Sequence, residues 1–268
     1  MSDDAALDEL RFLTRALRAH LEWQASTGAT GLERGVLAES LPPAAVAAIS
    51  ARPVVAAPEP SPTLASVSAL AQSPAPADAA VRLEVLRESV RGCTKCGLSQ
   101  HRKQTVFARG DGSSGVCFVG EGPGADEDAQ GLPFVGKAGQ LLDRMIEAMG
   151  LTRDEVYVCN VVKCRPPDNR KPEPDEMAAC MPYLNEQLDL VAPRVIVALG
   201  ATAVQGLFGT TEGITRLRGK WKTYRGQIDV MPTFHPAYLL RNPAAKREVW
   251  EDLQDVLRRI GRSPPARR

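Results

Sequence analysis

Four of the six cysteines in the 268-residue chain stand where thiol chemistry could gather. Cys93 and Cys96 form a C-x-x-C in the run RGCTKCGLS, and Cys164 and Cys180 follow with fifteen residues rich in proline and charge between them. Two irregular segments that each end in thiols can converge on one four-thiolate site. The wide second spacing departs from the two tight knuckles of a zinc ribbon, so an iron-sulfur cluster, a zinc ion and free thiols all remain open on spacing alone. Cys117 and Cys159 sit in the apolar runs GVCFVG and VYVCNVV, where a thiol behaves as a small buried hydrophobe.

A second group of residues could bind a small flat ligand. Gly120-Glu121-Gly122-Pro123-Gly124 follows the first apolar run, then come Asp126, Glu127, Asp128 and the segment Gly131-Leu132-Pro133-Phe134-Val135-Gly136. Backbone N–H groups exposed at such a turn can meet a ligand. A phosphate is disfavoured, because Pro123 removes a donor, no G-K-[ST] follows, and four acidic side chains would repel it. Asn160 closes the second apolar run and offers both a donor and an acceptor, the pair needed to read the edge of a pyrimidine or an amide. His235, one of three histidines in the chain, opens His235-Pro236-Ala237-Tyr238-Leu239-Leu240-Arg241 at the end of the last run.

These residues need a scaffold that brings strand ends together. Apolar runs at 116–119, 156–162, 195–199 and 228–234 alternate with helical patterns, such as Leu141, Leu142, Met145, Ile146 and Met149 on one stripe over 138–149, and a last helix over 244–260. That alternation predicts a parallel sheet covered on both faces, with ligands at the carboxyl ends of its strands.

Upstream the chain changes character. Leu7, Leu10, Leu13, Leu17 and Leu21 predict an amphipathic helix over 3–22, and residues 41–80 hold 14 Ala and 8 Pro with three charges, the composition of a linker. The expected organisation is an N-terminal helical region 1–40, a linker 41–82, a globular domain 83–261 and a basic tail 262–268. Residues 1–80 carry net −4 and the remainder +5, so the globular part suits an anionic partner. An acidic N-terminus and the lack of any long uncharged apolar stretch predict a cytoplasmic protein without a membrane segment.

Taken together, GEGPG followed by ED, GLPFVGKAGQLL, VCNVVKCRPP, the four widely spaced cysteines and HPAYLLRNP resemble the iron-sulfur, or type 4, family of uracil-DNA glycosylases over roughly residues 85–260. The resemblance implies a three-layer α/β/α fold with a short central parallel sheet. It also implies a structural [4Fe-4S] cluster on Cys93, Cys96, Cys164 and Cys180, which ranks cluster above zinc.

The chemistry implied is hydrolysis of the uracil N-glycosidic bond after deoxyuridine is flipped out of DNA. Phe134 would stack on the flipped ring, Asn160 would read its edge, and Glu127 would crowd the C5 position where thymine has a methyl. Negative charge on the departing base calls for donors, for which His235 and the N–H groups near Gly122 are the candidates. Glu121 would position or activate water, or else tie down loop amides. Leu239 or Leu240 would fill the gap left by the base, and Lys163, Arg165, Arg170, Lys171 and Arg241 would contact phosphates. The expected partner is uracil-containing DNA, single- or double-stranded, bound by a monomer in a bacterial, nucleoid-associated setting, with a further protein partner for the N-terminal helix. Three rivals remain. A related class captures uracil-DNA covalently through a histidine in a basic loop, but KCRPPDNRKPEPDE holds none. Another is a non-catalytic iron-sulfur DNA-binding protein, and a third, disfavoured by the acidic loop, uses the cluster for electron transfer with a nucleotide cofactor in the glycine-rich turn.

Overall fold

The computed structural model of the chain describes residues 76–265. The leucine-striped helix expected over 3–22 and the linker up to residue 75 lie outside the described residues. Helix α1 (Pro76–Arg91) begins inside the range predicted for the linker, so residues 76–82 are helical. Proline is tolerated in the first turn, where its missing N–H has no intrahelical acceptor to meet, and Asp78 there suits the positive end of the helix.

Six strands form one sheet: β1 (Ala108–Arg109), β2 (Val116–Gly120), β3 (Tyr157–Asn160), β4 (Val195–Leu199), β5 (Lys222–Tyr224) and β6 (Ile228–Thr233), in the order β1-β3-β2-β4-β6-β5. The four expected runs are the central strands, all parallel, with Val119 opposite Cys159 and Val197 opposite Met231. The sheet is mixed rather than purely parallel, because β1 and β5 run antiparallel at its edges. With two and three residues, these edge strands are too short to show a period of two in the sequence.

Every residue of β2 and β4 is buried, and alternate side chains go to opposite faces. Cys117, Val119, Ile196 and Ala198 join one apolar cluster with Leu86 and Val90 of α1, while Val116, Phe118, Val195 and Val197 join the other. The first layer is α1 with α4 (Pro174–Val191) and α5 (Ala201–Phe208), through Leu184, Leu188 and Val204. The second is α3 (Lys137–Ala148) and α8 (Lys246–Arg259), through Leu141, Ile146, Leu253 and Leu257. Short helices α2 (Ala125–Gln130), α6 (Ile214–Leu217) and α7 (Pro236–Arg241) complete the chain. This is the expected three-layer α/β/α arrangement. Among the described residues no helix is long and apolar enough to cross a membrane.

Two anchors hold the segments that carry candidate residues. At the end of β6, Thr233 Oγ1 donates to Asp252 Oδ2 at 2.5 Å, and Asp252 is gripped by Arg218 at 2.7 and 3.2 Å, which fixes the residues just before His235. Helix α4 starts within the proline-rich segment because Glu173 and Glu176 form a capping box around Pro174. Cys180 therefore sits on a helix, not in the irregular segment expected of it.

Candidate active site

The carboxyl ends of β2, β3, β4 and β6 open onto one cavity of about 640 Å³, lined by Glu121, Gly122, Glu127, Phe134, Asn160 and His235 among others. The backbone runs on in register beyond the strands, with Val161 N–H donating to Gly120 O at 3.0 Å and Val162 N–H to Glu121 O at 3.1 Å. Six sequence-predicted residues from four separate segments thus share one space.

Asn160 is 2% exposed, and its Oδ1 has no hydrogen-bond partner among the described residues. A buried amide oxygen left unmatched costs on the order of 1–3 kcal/mol, which a ligand that donates to it would recover. Phe134 faces the same space with its ring 5.6 Å from the imidazole of His235. Its backbone is left-handed, at φ 55°, although it is not glycine.

Two glycines whose packing against this ring the sequence did not reveal hold it in place. A Cβ on Gly120 would collide with both Asn160 Oδ1 and the Phe134 ring, and a Cβ on Gly139 would collide with the Phe134 carbonyl. The available signal was Gly139 inside an otherwise regular helical pattern, which costs helix propensity and so asks for a packing reason. Arg109 adds a third hold, donating from Nε to Pro133 O at 3.2 Å while paired with Asp143. A Gly139→Ala variant gains helix propensity but must displace the Phe134 backbone, and is expected to lose about 10²-fold in kcat/KM through displacement of the ring. Single-turnover rates equal to the parent's would show that α3 does not set the ring's position.

Glu127 accepts hydrogen bonds from the backbone N–H groups of Gly124 (3.1 Å), Val135 and Gly136 (both 2.9 Å), so its carboxylate clamps the two glycine-rich turns together. The amide-tying role considered for Glu121 belongs to Glu127. Glu121 itself is half-buried in the cavity wall, and its carboxylate makes no protein hydrogen bond among the described residues. Gly122 lines the cavity beside it, with Val162 packed where a Cβ would go.

His235 caps α7, its Nδ1 accepting the Ala237 N–H at 3.1 Å. That bond leaves Nε2–H as the donor available to the cavity. Burial pushes its pKa down to about 4, with the Arg241 charge adding to the shift and Glu127 opposing it, so the ring is neutral at physiological pH.

Several expected contacts are corrected. Leu239 is 1% exposed and packs in the core on the α3 side, because a six-residue helix lying on that layer must bury one of its two leucines; Leu240, 44% exposed, is the free one. Lys163 is 1% exposed, with Nζ donating to the Asn160 carbonyl at 2.6 Å, and cannot reach a phosphate. Arg170 lines the cavity but is paired bidentately with Glu176 at 2.7 and 2.8 Å, while Arg165 and Lys171 hold Asn169 and Gln205. Arg241 is exposed at the cavity rim.

The four predicted thiols are free, Cys164 and Cys180 buried and Cys93 and Cys96 half-buried against the same apolar cluster. Three accept N–H hydrogen bonds at sulfur: Cys93 from Lys95 N at 3.5 Å, Cys164 from Arg102 Nη1 at 3.1 Å and Cys180 from Lys163 N at 3.3 Å. Burial raises the Cys164 thiol and pushes Cys180 up to about 11; Cys96 adds to both shifts, Cys93 to that of Cys164, and Cys164 to that of Cys180, so the thiols sense one another. Four free thiols, three of them with N–H donors aimed at sulfur, have the donor chemistry that a thiolate-held cluster requires. Among the described residues no group of three or more His, Cys, Asp or Glu is close enough to hold a metal ion.

A three-layer sheet with this carboxyl-end cavity defines a class: the family model of the uracil DNA glycosylase superfamily matches residues 107–254. The chain is 47% identical over 175 residues to a type-4 uracil-DNA glycosylase of Thermotoga maritima, covering 64% of this chain and 91% of that protein. Similar proteins of the same type occur in Sulfurisphaera tokodaii (46% identical, 65% of this chain, 83% of that protein) and Saccharolobus solfataricus (42%, 68% and 88%). The chain belongs to the type-4 uracil-DNA glycosylases.

Proposed function

We propose that this chain hydrolyses the N-glycosidic bond of deoxyuridine flipped out of DNA and leaves an abasic site for base excision repair. The observation that carries the reading is the unpartnered Oδ1 of buried Asn160 beside the Phe134 ring, in a cavity of about 640 Å³. A flipped uracil stacks on Phe134 and gives its N3–H to Asn160 Oδ1, while the Asn160 amide donates to O4. Cleavage loads negative charge onto the base, which the neutral His235 stabilises by donating from Nε2 together with N–H groups near Gly122. Glu121, with no competing protein hydrogen bond, positions the attacking water. Leu240 enters the gap in the stack, and Arg241 meets a flanking phosphate.

Glu127, immobilised by its three amide donors, stands against C5 of the base. Glu127→Ala is expected to relax rejection of thymine by about 10–200-fold, the worth of one methyl group in a pocket. Unchanged thymine rejection, with uracil excision retained, would remove that role.

Cys93, Cys96, Cys164 and Cys180 hold a [4Fe-4S] cluster, whose contribution when bound is to tie the loop after β3 to α4 and the segment after α1. The protein acts as a cytoplasmic, nucleoid-associated monomer, and residues 1–75 serve a protein partner rather than the chemistry. A chain starting at residue 76 is expected to excise uracil from a naked oligonucleotide as the full chain does; loss of activity would place the upstream residues in the catalytic unit.

The deciding experiment is a denaturing gel of an end-labelled oligonucleotide carrying one deoxyuridine. Strand cleavage at the uracil only after alkali is the expected result. A slow-migrating protein–DNA band would mean covalent capture, and an intact strand with iron-loaded protein would leave a binding role; either would overturn hydrolytic excision.

A further inference from the structure

The thiol centre is flanked by two cations that the glycosylase chemistry does not use. Arg102 donates from Nη1 to Cys164 Sγ at 3.1 Å and from Nη2 to the Arg91 carbonyl at 3.2 Å, which joins the end of α1 to the centre. Lys163 lies on another side: its backbone N–H meets Cys180 Sγ at 3.3 Å, and its side chain is buried to 1% exposure. A buried ammonium costs several kcal/mol unless an anion compensates it. Among the described residues Lys163 has no carboxylate partner, and its one side-chain hydrogen bond is to the neutral Asn160 carbonyl.

We infer that Arg102 and Lys163 form an electrostatic clamp on the cluster, neutralising its negative charge from two sides, and that Lys163 carries this restraint to the uracil-reading strand end through the Asn160 carbonyl. The inference rests on the cluster reading proposed for the four thiols. Thiolate-ligated clusters are net anionic, and nearby positive charge and hydrogen bonds to sulfur stabilise the reduced, more negative state. Both cations therefore raise the reduction potential and slow loss of iron. The link from Lys163 to Asn160 makes the clamp asymmetric: Arg102 acts on the cluster alone, whereas Lys163 acts on the cluster and on the residue that reads the base.

The test uses the full-length, iron-loaded protein and its Arg102→Gln and Lys163→Gln variants. Glutamine removes the charge and keeps an amide donor. Iron and sulfide content and visible absorbance come first; a parent chain that purifies with intact thiols and no iron after anaerobic reconstitution refutes the cluster reading itself. With a loaded parent, potentiometric titration followed by electron paramagnetic resonance is expected to give lower reduction potentials for both variants, and chelator challenge is expected to bleach both faster. Lys163→Gln should also lose more kcat/KM on uracil-DNA than Arg102→Gln. Arg102 is half-exposed, so its variant reports even where the buried substitution prevents folding. An Arg102→Gln protein whose potential and bleaching rate match the parent's would overturn the clamp.

Discussion

Asn160→Ala is expected to lower kcat/KM for uracil excision by about 10³-fold, the largest single-residue loss outside the thiol centre. The residue is 2% exposed and its Oδ1 has no protein partner among the described residues, so a base that donates to it meets no competing side chain. Alanine removes the donor and the acceptor together. Asn160→Asp separates them: a carboxylate only accepts, so it repels uracil O4 and welcomes the N4 amino group of cytosine. The ratio of uracil to cytosine excision should fall in Asp relative to Asn, measured on matched oligonucleotides. A ratio unchanged in Asn160→Asp would mean that Asn160 does not face the Watson–Crick edge.

His235 gives the second large effect, expected as a loss of about 10²–10³-fold in His235→Ala, the range for removing one charge-stabilising donor. Its signature lies in the pH profile. An imidazole in water titrates near 6.5, but burial and Arg241 bring this one to about 4, and its Nδ1 is occupied by the Ala237 N–H. The catalytic donor is then the neutral ring, and excision should not change from pH 8 to about 5 through this group, with an acid limb only near 4. An acid limb centred near 6.5 would refute a buried neutral donor. The same shift acts on stability. The folded pKa lies below the unfolded one, so the contribution is intact above about 6.5 and is lost as the pH falls toward 4. His235→Ala should remove that component from urea unfolding curves taken across the window.

Much of this arrangement could be read from the chain because its central strands are buried on both faces and so appear as unbroken apolar runs. Three of the four runs lead into Glu121, Asn160 and His235, which is why these candidates could be placed at one sheet edge from the sequence alone. What escaped reading depended on packing between distant segments. Leu239 and Leu240 are adjacent and alike, and only the docking of α7 on α3 decides which is buried. Lys163 has the composition of a surface residue, and its enclosure follows from the neighbouring cysteine segment and β3 rather than from its own sequence context. The clamp made by Glu127 joins residues 124, 135 and 136, a pattern without any helical or strand period. Helix α4 was hidden by prolines that turn out to mark its start.

The left-handed backbone of Phe134 sets durability against recognition at one position. A non-glycine residue held there raises the energy of the folded state by about 1–3 kcal/mol, whether or not DNA is present. A glycine at this site would relieve that strain and leave nothing to stack upon. The free protein is thus less stable than its sequence would allow, and in the function proposed above the aromatic face is already set when a base arrives, so binding need not order it.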